Sequence, residues 1–261
     1  MNNISSNSLF HFTSKAENLI GILTHDFNPR YVLELTPIHS SSKIKSAVNA
    51  AFPMVCFCDI SLGQIKDHID TYGFYGIGMT KDWGMRNKLN PVIYVNDSSS
   101  LGESLSKIAE ITFEARERKP TDVELESIRS IAKEYFNLLY FLKPYLGDFE
   151  RNGKLFNNIR FYNEREWRYV PQLCEWSDFK PCLSVAEYNN SVTLAQGNEK
   201  LTSHKLSFEP DDIKYIFLKE SKEIPAMIKA LKEIKGNKFG KDVIELLTSK
   251  ILTTEQILSD F

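Results

Sequence analysis

The chain has 261 residues, with 32 Lys+Arg against 34 Asp+Glu and a formal net charge of −2. That balance argues against a dedicated nucleic-acid coat, whose surface carries clustered basic charge. A composition of 42% hydrophobic and 12% aromatic residues argues against a disordered acidic chain. No apolar run approaches the roughly 18 residues of a membrane span. The start, MNNISSNSLFHF, lacks the basic stretch and apolar segment of a secretory signal. The four cysteines, Cys56, Cys58, Cys174 and Cys182, are too few for a disulfide scaffold of this length. The expectation from these features is a soluble, cytoplasmic, globular protein.

In chain order, Leu9–Thr13 alternates as a strand, with Phe10 and Phe12 on one face and Leu9, His11 and Thr13 on the other. Ser14 and Glu17 have the spacing of a capping box before the apolar positions Leu19, Ile20, Ile22 and Leu23. The polar stretch Ser40–Ser46 separates that helix from the apolar run Met54–Ile60. Ser61 and Gln64 have the spacing of a second capping box, for a short helix stopping at Gly73. Phe74–Met79 and Pro91–Val95 read as strands joined by a polar turn.

From about residue 99 to 150 the pattern changes. Leu101, Leu105, Ile108, Ile111 and Ala115 recur at helical spacing, and Pro120 ends that helix by Lys119. Thr121 and Glu124 predict a third capping box, and the periodicity then runs from Val123 through Leu142 as a long amphipathic helix. Strands are expected again at Arg160–Tyr162, Arg165–Val170, Lys205–Phe208 and Lys214–Leu218. Helices near Ile224–Lys235, Lys241–Lys250 and Thr254–Asp260 close the chain. Strands and helices without strict alternation point to an α+β class: one domain over 1–261, with a helical hairpin inserted at about 99–150 and C-terminal helices.

Chemistry-bearing motifs are sparse. There is no phosphate-binding G-x-x-x-x-G-K-[ST], and Gly73, Gly76 and Gly78 do not have dinucleotide-fingerprint spacing. Cys56-Phe57-Cys58 and the Cys174/Cys182 pair lack zinc-knuckle spacing, so the cysteines read as structural and no metal site is expected. Among His11, His25, His39, His68 and His204, His11 has a distinctive setting: it shares a strand face with Thr13 beside the start of a helix. A histidine simply hydrogen-bonded within the sheet accounts for it equally well. In Asn163–Tyr169, a strand places Glu164, Glu166 and Arg168 on one face and Arg165, Trp167 and Tyr169 on the other. Two such carboxylates suit a solvated edge strand with ion pairs, or hydrogen bonding to a sugar hydroxyl and orientation of a nucleophile. Tyr72 and Tyr75 lie among glycines, which fits either core aromatics or an exposed stacking surface.

Together these segments resemble two known families. Leu9-Phe10-His11-Phe12-Thr13-Ser14, followed by a helix carrying Asn18-Leu19 and Ile22-Leu23, resembles the opening of DarT-like ADP-ribosyltransferases. Val55–Ile60, Tyr72–Gly78, Asn90–Tyr94 and Glu164–Arg168, in that order, resemble the AbiGi family of bacterial abortive-infection proteins. The AbiGi resemblance implies a phage-resistance component, the antitoxin partner of a nucleotidyltransferase-like toxin. The ADP-ribosyltransferase resemblance implies NAD as substrate on a mixed β core of that fold. His11, with Thr13 beside it, would hold the nicotinamide ribose, and Tyr72 or Tyr75 would stack on the nicotinamide. Glu166 would bond the ribose 2′-hydroxyl and stabilise the oxocarbenium-like transition state. Glu164 would position the acceptor, whether nucleic acid or protein. No arginine matches the family's phosphate ligand; Lys81 and Arg86 are the nearest candidates. Two readings follow: an NAD-dependent mono-ADP-ribosyltransferase in phage defence, or a non-catalytic antitoxin-like partner of a neighbouring toxin. In the second, the hairpin offers the docking surface. The Arg116–Lys119 and Lys229–Lys241 clusters are mixed with acids and read as solvated helix faces.

Overall fold

The computed structural model describes residues 6–38, 49–118, 120–151, 154–172, 179–236 and 238–260. Their elements, in chain order, are β1 (Ser8–Thr13), α1 (Ala16–His25), β2 (Arg30–Leu35), β3 (Asn49–Cys58), α2 (Lys66–Tyr72), β4 (Tyr75–Thr80), α3 (Lys81–Arg86), β5 (Asn90–Pro91) and β6 (Ile93–Val95). The hairpin helices α4 (Ser100–Glu117) and α5 (Asp122–Leu139) follow, then β7 (Leu142–Pro144), β8 (Leu146–Arg151), β9 (Lys154–Arg160), β10 (Glu166–Tyr169) and β11 (Leu183–Ser184). The chain closes with α6 (Val185–Asn189), α7 (Ser191–Lys200), β12 (Ile213–Leu218), α8 (Ile224–Lys235), α9 (Lys241–Thr248), β13 (Ile251–Thr253) and α10 (Thr254–Asp260). Helix and sheet are mixed without regular alternation, as the α+β reading expects.

The main sheet runs β13-β12-β4-β1-β3-β10-β5. Its spine is β3, whose first half pairs with β2 and β11 and whose second half pairs with β1 and β10. Both faces are covered. On one face, Leu9, Phe57, Ile77 and Ile216 pack with Leu19 and Leu23 of α1, Trp83 of α3 and Leu231 of α8. On the other, Phe10, Phe12, Cys58 and Phe217 meet Ile69 of α2 and Ile257 of α10. Farther along that strand, Phe52 and Met54 join Leu105 and Ala109 of α4 and Tyr135 and Leu139 of α5. Each fully buried side chain of this kind contributes about 1.5–3 kcal/mol, so a helix docked through two or three of them stays in place.

Several expected elements differ, each for a local reason. The Ser14–Glu17 box does not form: α1 begins at Ala16, which makes Lys15 the cap residue and puts Ser14 one position too early. Ser61 caps only a single 3₁₀ turn, with Gln64 N–H donating to its carbonyl, and α2 starts at Lys66. It does stop at Gly73. The polar turn after β4 is helix α3, capped by the Thr80 hydroxyl accepting from Trp83 N–H and held down by the buried Trp83 ring. The strand at Pro91–Val95 divides at Val92, whose N–H donates to Glu166 while the next N–H donates to Phe141. The periodicity through Leu142 overruns: α5 ends at Leu139, and Leu142 pairs in β7 with Ile93. The strand expected at Arg160–Tyr162 is the end of β9 followed by a 3₁₀ turn over Phe161–Glu164, and Lys205–Phe208 makes only one bridge, Phe27 to Leu206. The sequence reading missed β2 and the β8–β9 hairpin, and the helical segment expected at about 99–150 gives way to strands from Leu142 on. The third capping box forms, with Thr121 and Glu124 bonding reciprocally. Ser40–Ser46, His39 and Cys174 lie outside the described residues.

Gly73 is required by geometry. Its φ is +116°, and a Cβ there would sit 2.4 Å from Ser14 Cα and from the Thr13 carbonyl oxygen. Gly73→Ala is expected to cost at least about 2 kcal/mol in urea unfolding. Gly21→Ala, where nothing lies within 4 Å in a helix interior, should be neutral or gain up to about 1 kcal/mol. Equal midpoints for the two variants would refute this reading of the Gly73 crossing.

Candidate functional site: a buried ion cluster on one face of the sheet

The strand expected at an edge is internal. β10 lies between β3 and β5, with Glu166 opposite Cys58 and Arg168 opposite Cys56. The chain reaches it through the 3₁₀ turn Phe161–Glu164 and then Arg165, which takes a left-handed conformation at φ 44°, ψ 51°. That reversal, outside any strand, lets Glu164 and Glu166 meet the same cation: Lys143 Nζ lies 2.8 Å from Glu164 Oε2 and 3.0 Å from Glu166 Oε2. Lys143 stands mid-way along β7, where the hairpin rejoins the body of the protein.

Arg168 completes the cluster. Its Nε donates to Glu166 Oε1 at 2.6 Å and its Nη2 to Glu166 Oε2 at 3.2 Å. Nη2 also reaches Glu34 Oε2 of β2 at 2.6 Å, and Nη1 donates to the Tyr140 carbonyl at 2.8 Å. The Tyr72 hydroxyl donates to Glu164 Oε1 at 2.9 Å, and the Tyr94 hydroxyl accepts the Glu166 N–H. Arg168 is fully buried and Glu166 is 5% exposed. An ion taken out of water loses several kcal/mol of hydration, which close opposite charges and complete hydrogen bonding offset. Here three carboxylates surround two cations, and both oxygens of Glu166 are occupied.

The titration behaviour follows. Burial alone would raise the Glu166 carboxyl, but the charges of Arg168 and Lys143 override it and hold the group well below the carboxylate range. Burial would likewise lower Lys143, and Glu166, Glu34 and Glu164 together push it up instead. Desolvation, reinforced by Glu164, raises the Tyr72 phenol. Burial, with Glu166 nearby, also raises the Cys56 thiol, so it is a poor nucleophile at neutral pH.

The other residues of the NAD reading lie elsewhere. Phe10, not His11, is level with Cys58 and Glu166, and successive side chains of a strand alternate faces. His11 therefore points to the opposite side of the sheet from Glu166. Its Nδ1–H donates to the Cys56 carbonyl at 2.8 Å and its ring packs against Phe27 and Phe57. Of the two accounts of His11, the geometry supports the histidine hydrogen-bonded within the sheet, on a face that carries an apolar core cluster. Thr13 accepts from the Asn18 amide on that same side, and the Tyr75 hydroxyl donates to Glu223 at 2.7 Å. Lys81 pairs with Asp59 and Arg86 with Asp212. The structure thus brings together Tyr72, Glu164 and Glu166, and leaves His11, Thr13 and Tyr75 across the sheet. This arrangement does not fit a single nicotinamide–ribose site. Among the described residues, no group of three or more His, Cys, Asp or Glu has metal-site geometry, and no helix is long and apolar enough to cross a membrane.

Sequence reasoning missed Lys143, Glu34 and Tyr94. Lys143 was legible in principle, as one lysine inside the apolar run Leu138–Tyr145, where an unpaired charge would be costly. Glu34 has a similar setting in Tyr31–Leu35.

A family model described as "Putative abortive phage resistance protein AbiGi, antitoxin" matches residues 25–219. That span contains Glu34, Lys143, Glu164, Glu166, Arg168 and the whole hairpin, and begins beyond His11 and Thr13. The abortive phage resistance protein AbiGi of Lactococcus lactis subsp. cremoris is 29% identical over 249 residues, covering 90% of this chain and 99% of that protein. No solved structure matches.

Two predictions follow from the cluster. Arg168→Met, which leaves Glu166 and Glu34 buried without their main partner, is expected to destabilise the chain by about 3–5 kcal/mol in chemical unfolding. Because the folded-state pKa of Glu166 is depressed, its contribution is present above the unfolded value of about 4.3 and is lost as pH falls through the lower folded value. Glu166→Gln should therefore flatten the acid limb of the stability–pH curve below about pH 5. An acid limb parallel to that of the wild type would refute this role.

Proposed function

The chain belongs to the AbiGi family of abortive phage resistance proteins, and from that premise we propose that it acts as the antitoxin: a non-catalytic protein that binds and neutralises a partner toxin. The observation that carries this reading is the state of Glu166. As the carboxylate to which the ADP-ribosyltransferase resemblance gives the chemistry, it would need an open oxygen facing the ribose. Both of its oxygens are instead held by Arg168 and Lys143. The separation of His11 from Glu166 by the thickness of the sheet supports the same reading. A binding protein needs a fixed scaffold, and an ion cluster joining β2, β7 and β10 holds those strands in register.

Co-expression with the toxin encoded beside it tests the proposal. Growth arrested by the toxin alone should be restored by the wild-type chain, and equally by Glu164→Gln, provided the variant accumulates to wild-type levels. Growth arrest caused by the chain alone, relieved in Glu164→Gln and in Glu166→Gln at equal protein levels, would overturn the antitoxin role in favour of an enzymatic one.

A further inference from the structure

Resting on the antitoxin reading, we propose that the cleft between α7 and the segment entering β2 holds an extended peptide segment of the partner toxin. The cleft has a volume of about 530 Å³, within the range of roughly 300–1,000 Å³ of natural ligand pockets. One wall is Asn28, Pro29 and Arg30, and the other is a single face of α7. The outward face of the hairpin, where the sequence placed a docking surface, offers less. Helical phase puts Lys107 and Glu126 there, opposite the buried Leu105, Ala109, Tyr135 and Leu139.

Both walls of the cleft are fixed by the fold. Asn190 caps α7 by accepting from the Thr193 N–H. Gly197 lies so close to β2 that a Cβ there would sit 3.0 Å from the Tyr31 ring. Asn198, one residue on, accepts the Tyr31 N–H at 2.9 Å. Ser191, Ala195, Asn198 and Thr202 follow one another at helical spacing along the cleft. From Ser191 to Thr202 the helical path is about 17 Å long, which accommodates about five residues of extended chain at roughly 3.3 Å each.

The chemistry of the walls is the complement of a peptide. A primary amide carries a donor and an acceptor side by side, matching the N–H and C=O of a backbone. Asn198 already holds one backbone N–H, that of Tyr31, and its NH2 group has no partner among the described residues. Asn28 has a buried Oδ1 without a hydrogen-bond partner, a state uncommon in native proteins. The terminal torsion of an asparagine is broad, so a turn of the amide brings that oxygen to a backbone N–H in the cleft. Pro29 and Leu194 add apolar lining. Arg30 and Glu199 are exposed, line the same cleft, and form no ion pair with each other or with any other described residue. The segment they fit carries an acidic side chain for the first and a basic one for the second. The cleft is open along its side, which suits a length of chain rather than an enclosed small molecule.

Calorimetric titration of the full chain with the purified toxin encoded beside it tests this. Arg30→Glu, and Ala195→Arg, which puts a bulky side chain into the cleft, should each weaken binding by about tenfold or more. Val192→Arg, at a position of α7 that is 63% exposed and outside the cleft, should leave it unchanged. All three positions are exposed, and equal urea midpoints establish that the variants fold. Overlapping synthetic peptides that cover the toxin sequence should include one that competes for the wild-type chain and fails to bind Arg30→Glu. Full-strength toxin binding by both cleft variants would overturn the proposal and leave the antitoxin reading intact. Weakened binding with no competing peptide would also overturn it, assigning the cleft to a folded surface of the toxin. A wild-type chain that binds no toxin would overturn both, and the growth experiment would fail with it.

Discussion

Arg168 places a full positive charge where its side chain has no exposure, and much of the fold is arranged around satisfying it. Its guanidinium takes a bidentate hold on Glu166 in its own strand, a second carboxylate from β2 and a backbone carbonyl from the turn after α5. Three elements distant in sequence are tied by one side chain. The ion pair does not by itself imply a more stable protein, because a well-packed apolar substitute is often as good. What it imposes is register. With Glu166 and Arg168 on one face of β10, a slip of one residue would turn both charges into the apolar cluster of Phe57 and Trp83 on the other.

The same cluster explains how the hairpin is joined to the sheet. α5 ends at Leu139, and Lys143 follows within one short strand, already between Glu164 and Glu166. The helical segment is therefore clamped at its C-terminal root by charge and along its length by Tyr135 and Leu139. Its outer side is left to solvent or to a partner. A division between a sealed ionic interior and an exposed helical face suits a binding protein better than an enzyme whose carboxylates must meet substrate.

Much of this was legible in the sequence. The α+β class, the hairpin with its Thr121–Glu124 box, the stop at Gly73 and the C-terminal helices all follow from local periodicity and capping chemistry. Glu164, Glu166 and Arg168 stood out as charges crowded into one short segment, and they do form one cluster, although Glu164 joins it from a turn. What was not legible depends on long-range pairing. β10 looks like an edge strand until β3 and β5 are placed on either side of it. Glu34 and Lys143, more than a hundred residues apart, have no local pattern that links them. The parity of β1 against β3 decides which face His11 occupies. Alternation within β1 was read correctly, but alternation alone cannot place Glu166 on the same side or the other.

Calorimetric titration of NAD into the purified chain tests most directly whether Glu166 belongs to the ion cluster or to a nucleotide site. A sealed Glu166 predicts no saturable heat up to about 1 mM, the upper end of ordinary KM values. Saturable binding below that concentration, abolished by Glu166→Gln in a variant that keeps its fold, would contradict it.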